Sequence, residues 1–243
     1  SEKEIAQHFG PGGSYEALLK AREQGLIRHI GITSHRPDLA ARMIEQGLVE
    51  TAAFMISMVQ PYAIQEVLPL AKSIGVGTLS IRPLDHGSLT PRDRAMAYAI
   101  RSGVDVVLSG MTTVQQVEEN VALAERALAM SDQEVAALQA EAAALPSTGC
   151  RNCSQCRCPY ELRIGFVLPL YYYRQRYGLG ASGNWSDGQP SGEQMWQRNE
   201  ERARTAAEHC ATCGQCEPMC PYGVPIVQYV QRIAAESQPG GVG

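Results

Sequence analysis

Apolar runs short enough for strands recur along the first 145 positions at intervals of about 25 residues, and helical patterns fill the gaps between them. The runs predict strands over 28–34, 53–59, 76–82 and 104–109. The amphipathic stretches predict helices over 37–46, 64–73, 91–101 and 114–128. Boundary residues agree with this alternation: Asp38 and Thr113 suit helix caps, Pro37 and Pro91 suit first turns, and Gly25, Gly47, Gly75 and Gly103 suit helix ends. Apolar strands alternating with helices imply an α/β fold with a parallel sheet covered on its faces. An alanine-rich helix over 132–145 stops at Pro146, and 146–149 reads as a linker. The division is therefore a 1–145 α/β domain and a 146–243 domain of different character.

That second domain holds all eight cysteines, in two runs that echo each other. The first is Cys150-x2-Cys153-x2-Cys156-x-Cys158-Pro159, and the second is Cys210-x2-Cys213-x2-Cys216-x3-Cys220-Pro221. The second has the cluster-ligand spacing of bacterial ferredoxins, in which three thiolates hold one iron–sulfur cluster and the fourth reaches across to another. By that crossover, Cys150, Cys153, Cys156 and Cys220 hold one 4Fe–4S cluster, and Cys210, Cys213, Cys216 and Cys158 hold the other. Each run continues alike, as Cys158-Pro-Tyr-Glu-Leu-Arg-Ile and Cys220-Pro-Tyr-Gly-Val-Pro-Ile, which predicts two half-sites with a shared local fold. The first run departs in one place: only Arg157 separates its third and fourth cysteines, so Cys158 is the ligand its spacing puts in question. Paired C-x2-C knuckles for zinc and a set of disulfides are the other readings of the same thiols. Between the runs, 162–177 predicts a helix with an aromatic stripe (Phe166, Tyr171, Tyr172, Tyr173, Tyr177). A Gly- and Ser-rich loop over 178–192 and a polar helix over 194–208 follow it. A last helix is expected over 224–235, with a frayed tail beyond 238.

Composition narrows the function classes. The 243 residues are 44% hydrophobic and 19% charged, which suffices for two modest cores. A net charge of −4 gives no reason to expect nucleic acid or an anionic membrane as partner. No apolar stretch reaches the ~18 residues of a membrane span. The opening Ser1, in place of Met, suggests a trimmed or incomplete N-terminus. Cysteines kept as thiol ligands fit the reducing cytoplasm.

Three phrases resemble the aldo/keto reductase family. Ile27-Arg-His-Ile-Gly-Ile-Thr-Ser-His35 resembles the family's fifth strand, and the stretch from Pro69 to Leu84 resembles its sixth helix and seventh strand. Val107-Leu-Ser-Gly-Met-Thr-Thr-Val-Gln-Gln-Val-Glu-Glu-Asn120 is similar to its eighth strand and nucleotide-binding turn. One branch of the family carries a C-terminal ferredoxin-type extension, which the cysteine runs fit. The resemblance implies a partial (β/α)8 (TIM) barrel of about four βα units, followed by a mostly α-helical dicluster ferredoxin-type domain. It also implies that the first four strands, with the family's catalytic Asp, Tyr, Lys and His, lie outside this chain, so no catalytic residue is assigned. A redox partner protein or the missing N-terminal half would then complete the barrel.

The same resemblance implies an NAD(P) site. Thr33 and Ser34 stand where the family holds the nicotinamide amide. Gly110, Met111 and Thr112 form the turn after the eighth strand, and Gln116, Glu119 and Asn120 match the adenosine end. Gln116 and Gly110 replace an arginine and a lysine, so selectivity for the 2′-phosphate is not expected. Arg82, ending the seventh strand, would face phosphate or a substrate carboxylate. The structural alternatives are plain: Thr33, Ser34 and Thr112 as caps, Asn120 as a surface polar group, Arg82 in an ion pair, His35 in a solvated loop. Two functions follow. One is an iron–sulfur oxidoreductase of the aldo/keto reductase type, passing electrons between two 4Fe–4S clusters and a nicotinamide-linked or partner redox site. The other is a non-catalytic electron-transfer subunit of a larger redox complex.

Overall fold

The structure, a computed structural model, describes residues 2–85, 89, 91–145, 149–150, 155–162, 164–165, 167–168 and 208–236. Its first unit is a four-stranded parallel sheet in the order β1 (Gly31–Ser34), β2 (Thr51–Met55), β3 (Gly77–Ile81) and β4 (Val106–Val107). Each strand pairs with the next in sequence, so the chain advances in one direction around the sheet, as consecutive units of an α/β barrel do. The helices are α1 (Glu2–Phe9), α2 (Ser14–Glu23), α3 (Pro37–Glu45), α4 (Tyr62–Glu66), α5 (Leu68–Ser73), α6 (Arg92–Ile100), α7 (Val114–Leu128) and α8 (Asp132–Ala144).

Three helix-to-strand turns repeat one device. Gly25, Gly47 and Gly75 take φ of 72°, 67° and 74°, and the residues after them, Leu26, Leu48 and Val76, donate their N–H groups back to Ala21, Met43 and Ala71. This six-to-one closure is the Schellman motif. A side chain would disfavour each of these glycine backbones, so the predicted helix ends are fixed by backbone sterics. α6 ends differently, with the Ser102 N–H and hydroxyl both donating to the Ala99 carbonyl.

Strand pleating sorts the side chains. On one face, Ala52 and Phe54 of β2 pair in register with Thr78 and Ser80 of β3, and all four are fully buried. They share a core with Ala40, Met43 and Ile44 of α3, with Val67, and with Leu68 and Ala71 of α5. The hydroxyls of these two β3 residues are satisfied: Ser80 donates to the Ile56 carbonyl at 3.1 Å, and Thr78 donates to Asp105. The other face carries the in-register row Thr33, Ala53, Leu79 and Val106. It is closed in the middle and open at its ends, where Thr33 is exposed and Val106 and Leu108 are each 46% exposed.

Several expected boundaries shift. The second strand begins at Thr51 and stops at Met55, because Ser57 and Gln60 bond to each other and turn the chain. The fourth shrinks to Val106–Val107, which pairs only with β3 among the described residues. The helix expected over 64–73 divides at Val67, since Pro69 offers no N–H to continue the ladder. Asp38 is not a cap; Arg36 occupies that position, and Asp38 pairs with its guanidinium at 2.6 Å. Pro91 precedes its helix as N-cap instead of starting it. α1 and α2 were not anticipated. Arg22 of α2 pairs with Glu50 at 2.7 Å, but α2 buries none of its own residues.

The second unit gathers Ile164, Val167, Leu168, Cys216, Val224 and the final helix α9 (Ile226–Glu236) into a separate core. The repeated Cys–Pro–Tyr segments fold alike. Glu161 N–H closes a turn on the Cys158 carbonyl at 3.1 Å, and Gly223 N–H closes one on the Cys220 carbonyl at 3.2 Å. Ile164 N–H then bonds to the Leu162 carbonyl as Ile226 N–H bonds to that of Val224. Glu161 and Gly223, at equivalent positions, have φ of 60° and 61°. Cys153, the aromatic stripe from Phe166 to Tyr177, the 178–192 loop, most of the 194–208 helix and the tail beyond 238 lie outside the described residues.

Two stability outcomes follow from these contacts. Glu161 holds a left-handed backbone that its repeat partner fills with glycine, so Glu161→Gly should stabilise the second unit by about 0.5–1 kcal/mol in denaturant melts. Asp105 Oδ2 accepts from both the Thr78 N–H (2.7 Å) and its hydroxyl (2.6 Å), stitching β3 to the approach of β4. The Thr78 hydroxyl and then its amide hold the Asp105 carboxyl below its ordinary value. Asp105→Ala leaves both buried donors of Thr78 unmatched and should cost about 1–3 kcal/mol. Because the folded value is depressed, this contribution is fully present above the unfolded value of about 3.9, and it disappears as pH falls through the folded one. The wild-type and variant melting points should therefore converge only in strong acid.

Candidate functional site

One cavity in the second unit is lined by Cys158, Cys210, Cys213 and Cys216, with Ile164 and Val230 on its apolar wall. The lone residue between Cys156 and Cys158 does not stop Cys158 from reaching the second run. Its turn with Glu161 and the packing of Ile164, 3% exposed, direct that segment onto the cavity. Cys216 is buried, Cys158 and Cys210 are half-buried, and Cys213 is exposed. Burial pushes the Cys216 thiol up, and the charges of Glu217, Cys158 and Cys210 add to the push while its own amide opposes it. Several thiolates held this close therefore need positive charge among them.

Backbone conformation suits the same end. Thr212 and Gly214 take φ of 51° and 69°, which turns the chain sharply between successive cysteines. Such turns direct backbone N–H groups into concave sites that accept anions and iron–sulfur clusters. None of the seven described cysteines is in a disulfide. Among the described residues, no three Cys, His, Asp or Glu side chains converge on a point tightly enough for a single ion. A four-iron cube spreads its thiolates over separate corners, so a cavity lined by four cysteines and backed by aliphatic side chains fits that group in donor chemistry. Cys150, Cys156 and Cys220 pack at the edge of the same core without lining this cavity.

The other candidate residues sit at the carboxyl ends of the strands. Ser34, ending β1, accepts from the Arg36 N–H and donates to the Arg36 carbonyl, both at 3.0 Å, so it serves the local turn. Thr33 lies on the open face. Arg82 follows β3 with a φ of 56°, and His35, after β1, is pushed down by burial and by the Arg82 charge, which places the imidazole and the guanidinium near each other and favours the neutral imidazole. Gly110 and Met111 follow β4 in exposed positions. Gln116 Oε1 accepts from the Thr112 N–H at 2.7 Å and the Thr113 N–H at 3.3 Å, while Thr113 Oγ1 accepts from the Gln116 N–H. This capping box starts α7 and engages the amides of Thr112, Thr113 and Gln116. Asn120 reaches back to the Ser109 hydroxyl at 3.5 Å.

Sequence reading passed over Glu217. Its carboxylate accepts from the Val227 N–H at 2.9 Å, across ten positions with no marked spacing.

Comparison with known proteins matches these two units separately. The aldo/keto reductase family model matches residues 14–96, and the 4Fe-4S dicluster domain model matches residues 169–225. The latter span contains the second cysteine run and stops short of the first. The chain is similar to L-galactose dehydrogenase from Arabidopsis thaliana, at 29% identity over 44% of this chain and 44% of that protein. Two solved structures of an aldo-keto reductase from Bacillus halodurans, its holo and apo forms, are 21% identical with a TM-score of 0.45. They cover 52% of this chain and 54% and 55% of theirs. The chain thus spans less than half the length of the curated relative it matches. Residues 14–96 thus resemble the aldo/keto reductase family, and residues 169–225 resemble 4Fe–4S dicluster domains.

Proposed function

We propose that this chain is the electron-carrying part of an aldo/keto-reductase-type oxidoreductase, with two 4Fe–4S clusters that exchange electrons with a nicotinamide-linked or partner redox site. The observation that carries this reading is the meeting of Cys158 with Cys210, Cys213 and Cys216 around one cavity. Two clusters sharing ligands across two runs require that crossing. Cys150, Cys153, Cys156 and Cys220 make up the second ligand set. When bound, the clusters supply one-electron transfer; the chain's own residues enclose them, exclude water with Ile164, Ile226 and Val230, and direct amides at the sulfurs.

The sheet face bearing Thr33, Leu79, Val106 and Leu108 supports a barrel completed from outside this chain, by an N-terminal half or by a redox partner protein. Thr33, Ser34, Arg82, Gly110, Met111, Thr112, Gln116 and Asn120 would form its contribution to an NAD(P) site. No helix among the described residues is long and apolar enough to cross a membrane, and reduced thiol ligands favour the cytoplasm. A second reading, a non-catalytic electron-transfer subunit, is favoured by Gln116, whose side-chain oxygen takes up the Thr112 and Thr113 amides of the turn after β4.

Anaerobic titration of the iron-reconstituted chain with NADH and then NADPH, followed in the visible cluster absorption with dithionite as control, separates the two. Bleaching by a nucleotide supports the nicotinamide-linked enzyme, and bleaching by dithionite alone supports the carrier subunit or a barrel that needs its missing half. Zinc in place of iron in the purified protein would defeat both. Cys158→Ser should lower bound iron from about eight per chain towards four, as expected for a lost corner ligand. Unchanged iron and unchanged spectra would remove Cys158 from the ligand set.

A further inference from the structure

The second cysteine run must serve two places at once. On the reading above, on which this inference rests, Cys216 belongs with Cys158, Cys210 and Cys213, while Cys220 belongs with the first run. The segment from Cys216 to Cys220 therefore sets the separation of the two ligand sets. Glu217 lies in that segment and is bonded at three points: its N–H to the Gly214 carbonyl (3.1 Å), its carbonyl from the Cys220 N–H (3.0 Å), and its Oε1 from the Val227 N–H (2.9 Å).

Val227 is the second residue of α9, the helix that supplies Ile226 and Val230 to the cavity wall and Ile233 to the core. Its first N–H groups have no partner within the helix, and the Glu217 side-chain oxygen supplies an acceptor for one of them. One side chain thus joins the ligand loop to the wall of the cavity it helps to form. The first run has no counterpart: the residue after its third cysteine is Arg157, and Cys158 follows at once.

We propose that Glu217 is a positioning residue for both clusters, holding Cys216 and Cys220 in register by clamping their loop to the N-terminus of α9. The clamp requires an acceptor oxygen and the Val227 N–H, not the carboxylate charge. Glu217→Gln keeps the oxygen, and Glu217→Ala removes it. Val227→Pro removes the donor from the other side, at a helix position where this chain already accepts proline, as Pro69 in α5 shows.

The test uses the full chain, reconstituted anaerobically, and reads four quantities. These are iron and labile sulfide per chain, the rate of cluster loss to a chelator, the electron paramagnetic resonance of the reduced clusters, and far-ultraviolet circular dichroism. Glu217→Ala and Val227→Pro should lose cluster absorption about tenfold faster than wild type and alter the spin coupling between clusters, whereas Glu217→Gln stays within about twofold. Wild-type behaviour in Glu217→Ala and Val227→Pro overturns the proposal, and so does a Glu217→Gln protein as labile as the alanine variant. If Glu217→Ala fails to fold by circular dichroism, the glutamine and proline variants decide alone. A wild-type chain that takes up no iron overturns the cluster reading itself, an outcome distinct from variants that leave two intact clusters unchanged.

Discussion

The arrival of Cys158 at the cavity of the second run is the constraint on which the C-terminal unit depends. Residues 158 and 210 are far apart in sequence, and holding them together carries a loop-closure cost that grows slowly with length. The aliphatic core opposes that cost: Ile164, Leu168, Ile226, Val230 and Ile233 are all at most 3% exposed. A core this small is marginal by itself, as small domains generally are, and ligand bonds commonly supply the remaining stability in metal-dependent folds. The duplicated turn makes the arrangement economical. The same Cys–Pro–Tyr geometry places Ile164 from one run and Ile226 from the other on the walls of a single cavity.

Much of the first unit was legible because its signals are local. Thr113 with Gln116 and Ser131 with Glu134 form capping boxes across three residues, and Gly25, Gly47 and Gly75 close helices through their own backbones. Pleating and periodicity then fix which residues are buried. What was not legible depends on distance. The bond from Thr78 to Asp105 spans 27 positions, and that from Val227 to Glu217 spans ten. Nothing in either stretch marks its partner in advance. Cys158 falls between these cases: the Cys-Pro repeat marks it as a candidate ligand while its short spacing puts that in question, and its reach depends on the turn at Glu161 and on the burial of Ile164.

The sheet of the first unit reflects two environments. Its helix-covered face tolerates Thr78 and Ser80 at full burial because each hydroxyl finds an acceptor within the unit. Its other face places apolar Val106 and Leu108 at an edge where they stay 46% exposed, next to a strand of two paired residues. An edge of this kind is a template for further pairing.

Gln116 links these two themes. The N-terminus of α7 offers amides at the carboxyl edge of the sheet, where α/β folds bind anions, and the chain takes up those of Thr112 and Thr113 with the Gln116 side chain. A phosphate that took these two amides would displace that oxygen and forfeit a capping box worth about 1 kcal/mol, which amounts to several-fold in affinity. A doubly charged phosphate gains more from the helix dipole than a neutral amide does, so the lock weakens a nucleotide site without abolishing it. The contrast with Glu217 is instructive, because the same elementary motif, a side-chain oxygen on a helix N-terminus, has opposite consequences in the two units. At α7 it competes with a ligand for the amides, and at α9 it holds the ligands' own loop in place.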